Sequence, residues 1–252
     1  LCRWLEFGKM GAIFLKEVAV FFGTLTGYVV GAVFLLLVGL GMWVLPGGGN
    51  VLDTGQATLD TLFQWAPWVF LFLVPGVTMR MLAEERREGT LEQLLGKPVR
   101  LIEIATGKFL AAWMLVVLIL IPTLVFFWSV YSLGAPRGSV DVGASWGSYL
   151  GLLLLGGGYA AIGILCSSLS RNAIFAFVLA ALLSLFIYQG FAQLSLLPVF
   201  GRYSYLVAWL GVEEHYHSIS RGVVDSRDLL YFASIIALAL AGTVVSLRKR
   251  RG

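Results

Sequence analysis

"AEERREGTLEQLLGKP", residues 83–98, is the densest run of charge in a chain otherwise built largely of apolar residues. Four Glu and two Arg fall between Glu84 and Gln93, and a strongly apolar stretch lies on each side. Residues 83–88 continue the preceding apolar stretch as a helix. Gly89 ends that helix, as glycine at a helix C-terminus commonly does. Thr90 is then expected to cap a new short helix over residues 91–95. Such a cap accepts an orphan backbone N–H and is worth about 1 kcal/mol. Glu92 adds negative charge in the first turn, where the helix dipole favours it. Gly96 and Pro98 close the element, and residues 99–108 lead into the next apolar stretch. A short amphipathic helix between two elbows suits a docking element, and it equally suits a solvated loop. Which one applies depends on the rest of the chain.

The rest is a membrane protein. Hydrophobic residues make up 59% of the chain and charged residues 13%, against about 25% charged in soluble domains, and the mean hydropathy is +0.88. Water could not cover such a surface without large apolar patches, whereas a bilayer needs only about 20 apolar residues per spanning helix. Six stretches qualify: residues 23–44, 62–79, 109–128, 148–169, 173–191 and 229–247. Pro67 and Pro75 fall inside the second, which a span tolerates when neighbouring helices satisfy the freed carbonyls. The expected fold is therefore an all-α integral membrane protein of six transmembrane helices, a single domain over residues 1–252. The first apolar run starts late and is long enough to span, which argues against a cleaved leader. Residue 1 is Leu, and Met10 is an alternative start. Cys2 and Cys166 are far apart in sequence and imply no disulfide framework.

Lysine and arginine set the orientation. Arg3, Lys9, Lys16, Arg80, Arg86, Arg87, Lys97, Arg100, Lys108, Arg171, Arg248, Lys249, Arg250 and Arg251 fall at one set of span ends. Arg137, Arg202, Arg221 and Arg227 fall at the other. That split puts both termini and the segment over residues 80–108 in the cytoplasm. Residues 194–210 contain Pro198, Gly201 and Arg202; a seventh span there would reverse the basic C-terminus. They read instead as a re-entrant or interfacial part of an outer loop over residues 192–228. "IFLKEVAVFF", residues 13–22, suits an amphipathic helix along the inner membrane surface, within a cytoplasmic N-terminal region over residues 1–22.

Glu84, Glu85, Arg86, Gly89, Thr90, Glu92, Leu94, Leu95, Pro98, Gly107, Lys108 and Phe109 together resemble the second-to-third-span region of ABC-2-type permeases. "FFGTLTGYVVGAVFLLLVGLGMWV", "NVLDTGQATLDTLFQWAPWVFLFLVPGVTMR" and "WGSYLGLLLLGGGYAAIGILCSSLSRN" narrow the resemblance. They are similar to permease subunits of the gliding-motility ABC transporters, the GldF type, as is "HYHSISRGVVDSRDLLYF". The similarity begins at about Met10. The "SISRGV" and "RDL" ending is shared with copper-enzyme maturation permeases, and the loop "NVLDTGQATLD" favours the gliding type. Hydropathy by itself also suits a lipid or polysaccharide exporter or a non-transporting membrane scaffold.

The resemblance implies a type V exporter-like fold and a separate, GldA-like ATPase that carries ATP and Mg2+. It also implies a second membrane subunit, GldG-like or another copy of this chain. Glu84, Glu85, Arg86, Glu88, Gly89, Thr90, Leu91, Glu92, Leu94, Leu95 and Pro98 would then form the coupling element on which the ATPase pushes. The residues agree with divided labour. Phosphate binding needs G-x-x-x-x-G-K-[ST], but Lys9, Lys97 and Lys108 are followed by Met10, Pro98 and Phe109. The chain itself is expected to bind no cofactor and no metal, and nucleic acid is not an expected partner.

Gly23, Gly27 and Gly31, four apart in the first span, form a small-residue face that lets helices approach closely, within the chain or at a dimer interface. Gly147, Gly151 and residues 156–158 smooth the fourth span in the same way. Glu213, Glu214, His215 and His217 are metal-ligand types, but they fall in one short run with no second cluster to complete a site. The spans themselves carry essentially no charge, which argues against an ion relay at the midplane.

Overall fold

The computed structural model describes residues 2–136, 138–222 and 224–251, with side chains for residues 8–250 of these. Arg137 lies outside them, as do the side chains of Cys2, Arg3 and Arg251, so their part in the charge split is not described. Helices account for 84% of the described residues, and no strand occurs among them. Among the described residues, six helices are long and apolar enough to cross a membrane.

In chain order, α1 (Cys2–Gly23) leads into the first span, α2 (Leu25–Trp43). A small α3 (Val51–Thr54) precedes the second span, α4 (Asp60–Thr78), which runs on as α5 (Arg80–Arg87). Then come α6 (Thr90–Leu95) and the third span, α7 (Leu101–Leu120), extended by α8 (Leu124–Leu133). The fourth span is α9 (Val142–Leu169); the fifth, α10 (Ala173–Leu185), continues through a π-turn into α11 (Phe191–Ser195). Short α12 (Ser204–Trp209) and α13 (Val212–Ser220) precede the last span, α14 (Ser226–Arg251).

Helix α9 is the axis of the bundle. It packs against α4, α5, α7, α10, α13 and α14, and 78% of its most apolar window is buried. Its glycines make this possible. A Cβ on Gly156 would strike Val116 at 2.6 Å, and one on Gly151 would press on Tyr216 at 3.1 Å. Exposed apolar positions collect on the outer helices instead, as with Leu25, Leu36 and Leu37 on α2 and Ile174 and Phe175 on α10.

The glycine face of α2 turns inward. A Cβ on Gly27 would meet the Phe21 carbonyl at 2.9 Å and Leu115 at 3.7 Å, and one on Gly31 would touch Ile119 at 3.9 Å. Gly23 meets nothing within 4 Å and sits where α1 gives way to α2. Close approach within the chain thus needs glycine at Gly27, whereas at Gly31 a Cβ would make only an ordinary contact.

Pro67 leaves the Phe63 carbonyl without its helical N–H. The Tyr216 hydroxyl, on α13, donates to that oxygen at 2.8 Å. The segment that carries α13 thus reaches into the bundle to satisfy the group that the proline freed. Within residues 194–210 no single helix is long enough to span: α11 and α12 pack on each other across a kink at Gly201, where φ is +32°. Val199, Tyr203, Tyr205 and Leu206 are exposed there, the apolar and aromatic mix of an interfacial segment.

Candidate coupling site

Helices α5 and α6 and the start of α7 form one end of the bundle, and their attachments are buried and polar. Lys108 on α7 is the hub. Its Nζ lies 2.5 Å from Glu17 Oε1, 2.8 Å from the Met81 carbonyl and 3.0 Å from Glu85 Oε1. Of the three donors of an ammonium, two make hydrogen bonds, to Glu17 and to the Met81 carbonyl, and Glu85 completes the cluster as an ion pair. Its side chain is 1% exposed and that of Glu17 9%. Stripping a charge of water costs several kcal/mol, which only good geometry with opposite charge offsets. Lys16 on α1 adds a second ammonium 3.0 Å from the same Glu85 oxygen. Burial pulls the Lys16 pKa down, but the hydrogen bond to Glu85 and the charges of Glu85 and Glu17 outweigh it, for a net rise.

Gly107 is what lets α1 lie against α7. A Cβ there would meet Ile13 at 3.1 Å and the Met10 carbonyl at 3.2 Å. Further ties from α1 are Lys9 Nζ to the Pro98 carbonyl at 2.7 Å and the Thr106 hydroxyl to Met10 Sδ at 3.4 Å. The run Gly107-Lys108-Phe109 thus combines close backbone approach with a cation that gathers α1 and α5 onto α7.

A joint sits between α4 and α5. Ser167 Oγ on α9 accepts from the backbone N–H of Leu82 at 3.1 Å and of Ala83 at 3.0 Å, and donates to the Met79 carbonyl at 2.8 Å. Where the α-helical ladder is interrupted at Met79, a hydroxyl from the central span takes its place. Arg86 Nη1 then caps the end of α9 through the Leu169 carbonyl at 3.0 Å.

The elbowed segment differs from its sequence reading in two respects. Gly89, with φ +74°, is the residue that precedes α6, and Thr90 is already helical. The Thr90 hydroxyl donates to the Glu85 carbonyl at 3.2 Å instead of accepting an N–H. A left-handed Gly89 turns the chain so sharply that the hydroxyl faces the preceding helix end. The second difference is in which groups face outward. Leu91 and Leu95 are buried against the chain itself, Leu94 is half-buried, and Glu88, Glu92, Gln93 and Pro98 are exposed. Glu85 looks inward to the two lysines, and Glu84 pairs with Arg80 at 3.5 Å.

The sequence reading missed Lys108, Glu17 and Ser167 as site residues. The third spanning helix starts at Leu101, so Lys108 lies two turns inside it. Lysine after glycine at the mouth of an apolar run was the available signal.

At the opposite end the acidic and histidine run of α13 does not converge as ligands. His215 turns inward and His217 is exposed, 3.8 Å from Glu213. Among the described residues no three His, Cys, Asp or Glu side chains are grouped to hold a metal.

Six spans wound on a glycine-rich axis, with a polar, elbowed element fastened to one end, define a polytopic membrane subunit of a transporter. The profile of the family described as ABC-2 family transporter protein matches residues 52–211; the match takes in well over half of the chain, which belongs to that family. No curated protein matches the chain. Permease domains of this family are the membrane component of a transporter; they are not the nucleotide-binding enzyme and work with an ATPase partner.

Proposed function

We propose that this chain is the permease subunit of a gliding-motility-type ABC transporter and that α6 is its docking element for a separate ATPase. ATP and Mg2+ would bind on that GldA-like subunit. A GldG-like membrane subunit, or a second copy of this chain, would complete the pair of membrane halves. The observation that carries the reading is the division of α5–α6 into two faces. One face is fixed to α1, α7 and α9 through Glu85, Lys108, Ser167, Leu91 and Leu95. The other offers Glu88, Glu92 and Gln93 beside the half-buried Leu94. A ligand shifts a conformational equilibrium only through contacts that differ between the states. ATP on a partner can bias the spans only if the contact is anchored, and here the anchor is buried.

The orientation goes with this reading: α6 and both chain ends in the cytoplasm, in the inner membrane. Cysteine labelling from outside should reach positions 50 and 138 and should miss positions 90 and 250. For docking, Glu92→Lys with Leu94→Asp should release the ATPase from the purified complex while leaving the thermal stability of the permease close to that of the parent. Unchanged ATPase retention would reduce α6 to a solvated loop.

A further inference from the structure

At the end of the bundle that carries α5, three guanidiniums come together, and among the described residues no carboxylate is paired with any of them. Arg86 lies in the last turn of α5, Arg171 in the turn between α9 and α10, and Arg250 in the last turn of α14. The Ser246 hydroxyl donates to the Ser168 carbonyl at 3.1 Å, which fixes the end of α14 beside the end of α9. Arg250 lies one turn further along that helix, on the same face. Arg86 is brought to the same place by its bond to the Leu169 carbonyl. The charges of Arg250 and Arg171 bear on Arg86, and that of Arg171 bears on Arg250. The Nε of Arg86 and the Nε of Arg250 are both buried and have no hydrogen-bond partner.

Like charges held together with idle, buried donors lack an anion. The fork of an arginine matches phosphate oxygens in particular. The N-terminus of α10 opens at the same turn and adds to the positive potential. The turn also lies at the level where helices leave the bilayer. Leu169 before it and Ile174 and Phe175 after it are exposed apolar residues, placed to meet acyl chains while Arg171 meets a headgroup. Basic pockets between spans at this depth suit anionic lipid headgroups.

We infer that Arg86, Arg171 and Arg250 form a site for the phosphate headgroup of an anionic phospholipid, in the leaflet on the side of α6. The site joins the second, fourth, fifth and last spans at the end where α5 is fastened. A bound lipid would tie the end of α14 to the joint that carries α6.

Native mass spectrometry of the purified full chain, titrated with phosphatidylglycerol or phosphatidylcholine, tests this. The parent should retain phosphatidylglycerol preferentially. Arg171→Gln with Arg250→Gln, which leaves the Arg86 cap on α9 in place, should weaken that retention roughly thirtyfold, at about fivefold for each guanidinium near an anionic surface. Adding Arg86→Gln should abolish the preference. Inorganic phosphate at millimolar concentration should not displace the lipid; displacement would mark a site for a soluble phosphate ligand and overturn the proposal. Equal lipid retention by the double variant would also overturn it. So would a double variant that keeps the lipid but loses a copurifying ATPase, because the arginines would then face acidic groups of the partner.

Discussion

At one end of the bundle Lys108 holds Glu17 and Glu85; at the other, His215 holds Asp228. Both pairs are buried, and both tie helices together. The His215 Nδ1 lies 2.6 Å from Asp228 Oδ1, and its Nε2 lies 2.9 Å from the Trp209 carbonyl. Tyr231 stacks on the ring at 3.9 Å. Both ring nitrogens face oxygen atoms, while the second carboxylate oxygen of Asp228 is buried without a hydrogen-bond partner. The partners differ in kind. His215 and Asp228 are 13 residues apart and join α13 to the helix that follows it. Lys108 and Glu17 are 91 apart and join the first helix of the chain to the third span and to α5. The outer pair closes a local cap. The Lys108 cluster joins α1, α5 and α7, the attachment that the proposed docking role of α6 would need.

The largest effect should come from Lys108→Met. It strands Glu17 in a site almost without water and leaves Glu85 with the exposed Lys16 alone; losing one partner of a buried pair costs about 3–5 kcal/mol. The melting temperature in detergent should fall sharply, and Glu17→Gln in the same chain should recover part of the loss by removing one orphaned charge. If Lys108→Met melts like the parent, the cluster holds nothing together and the contrast between the two ends fails.

His215→Phe should cost less, about 2–3 kcal/mol, through loss of a charge-assisted bond and exposure of Asp228 to an apolar neighbour. It sharpens the comparison because its effect should remain local. ATPase stimulation by the assembled complex should survive at temperatures where the variant is folded, whereas Lys108→Met should uncouple it. Loss of stimulation in both variants would mean that the outer cap also takes part in the working cycle.

Much of this architecture was legible in the sequence. The six spans, the glycine-lined fourth helix and the elbow at Gly89 are local properties, and hydropathy or backbone freedom expresses them directly. The pairings were not legible. Nothing near Lys108 in sequence points to Glu17, and nothing near Pro67 points to Tyr216, 153 residues from the carbonyl that it satisfies. Glu85 shows the consequence. In sequence it belongs to an exposed acidic run and reads as a partner contact. In the fold, two lysines from other helices claim it, which leaves Glu88 and Glu92 as the acidic groups that face outward.

Tyr216→Phe tests one such long-range pairing. It should cost about 1–2 kcal/mol by leaving a buried carbonyl without a donor. Pro67→Ala supplies a backbone N–H to that same carbonyl, so the double variant should lose less than Tyr216→Phe alone. A double-mutant cycle reads the difference as an interaction energy. Additive losses would show that the hydroxyl and the proline are independent, and the outer loop would then be packed on the bundle without serving it.

The smallest effect belongs to Lys16, and it separates the two lysines of the inner cluster. Its side chain is 61% exposed, against 1% for Lys108, although both lie 3.0 Å from the same oxygen. An exposed pair is screened and restrains a mobile side chain, so Lys16→Met should cost under about 1 kcal/mol. The pH dependence has a definite sign. Folding raises the Lys16 pKa above its ordinary value of 10.5, so between those two values the folded chain binds more protons than the unfolded one. Stability from this pair is therefore complete below pH 10.5 and is lost as pH climbs through the folded-state value. Hydrogen exchange in α1, compared between the parent and Lys16→Met, should show a small protection in the parent at neutral pH that fades above pH 10.5. If protection in the parent instead grows with pH, the contact with Glu85 opposes the charged lysine, and the attachment of α1 rests on Lys108 alone.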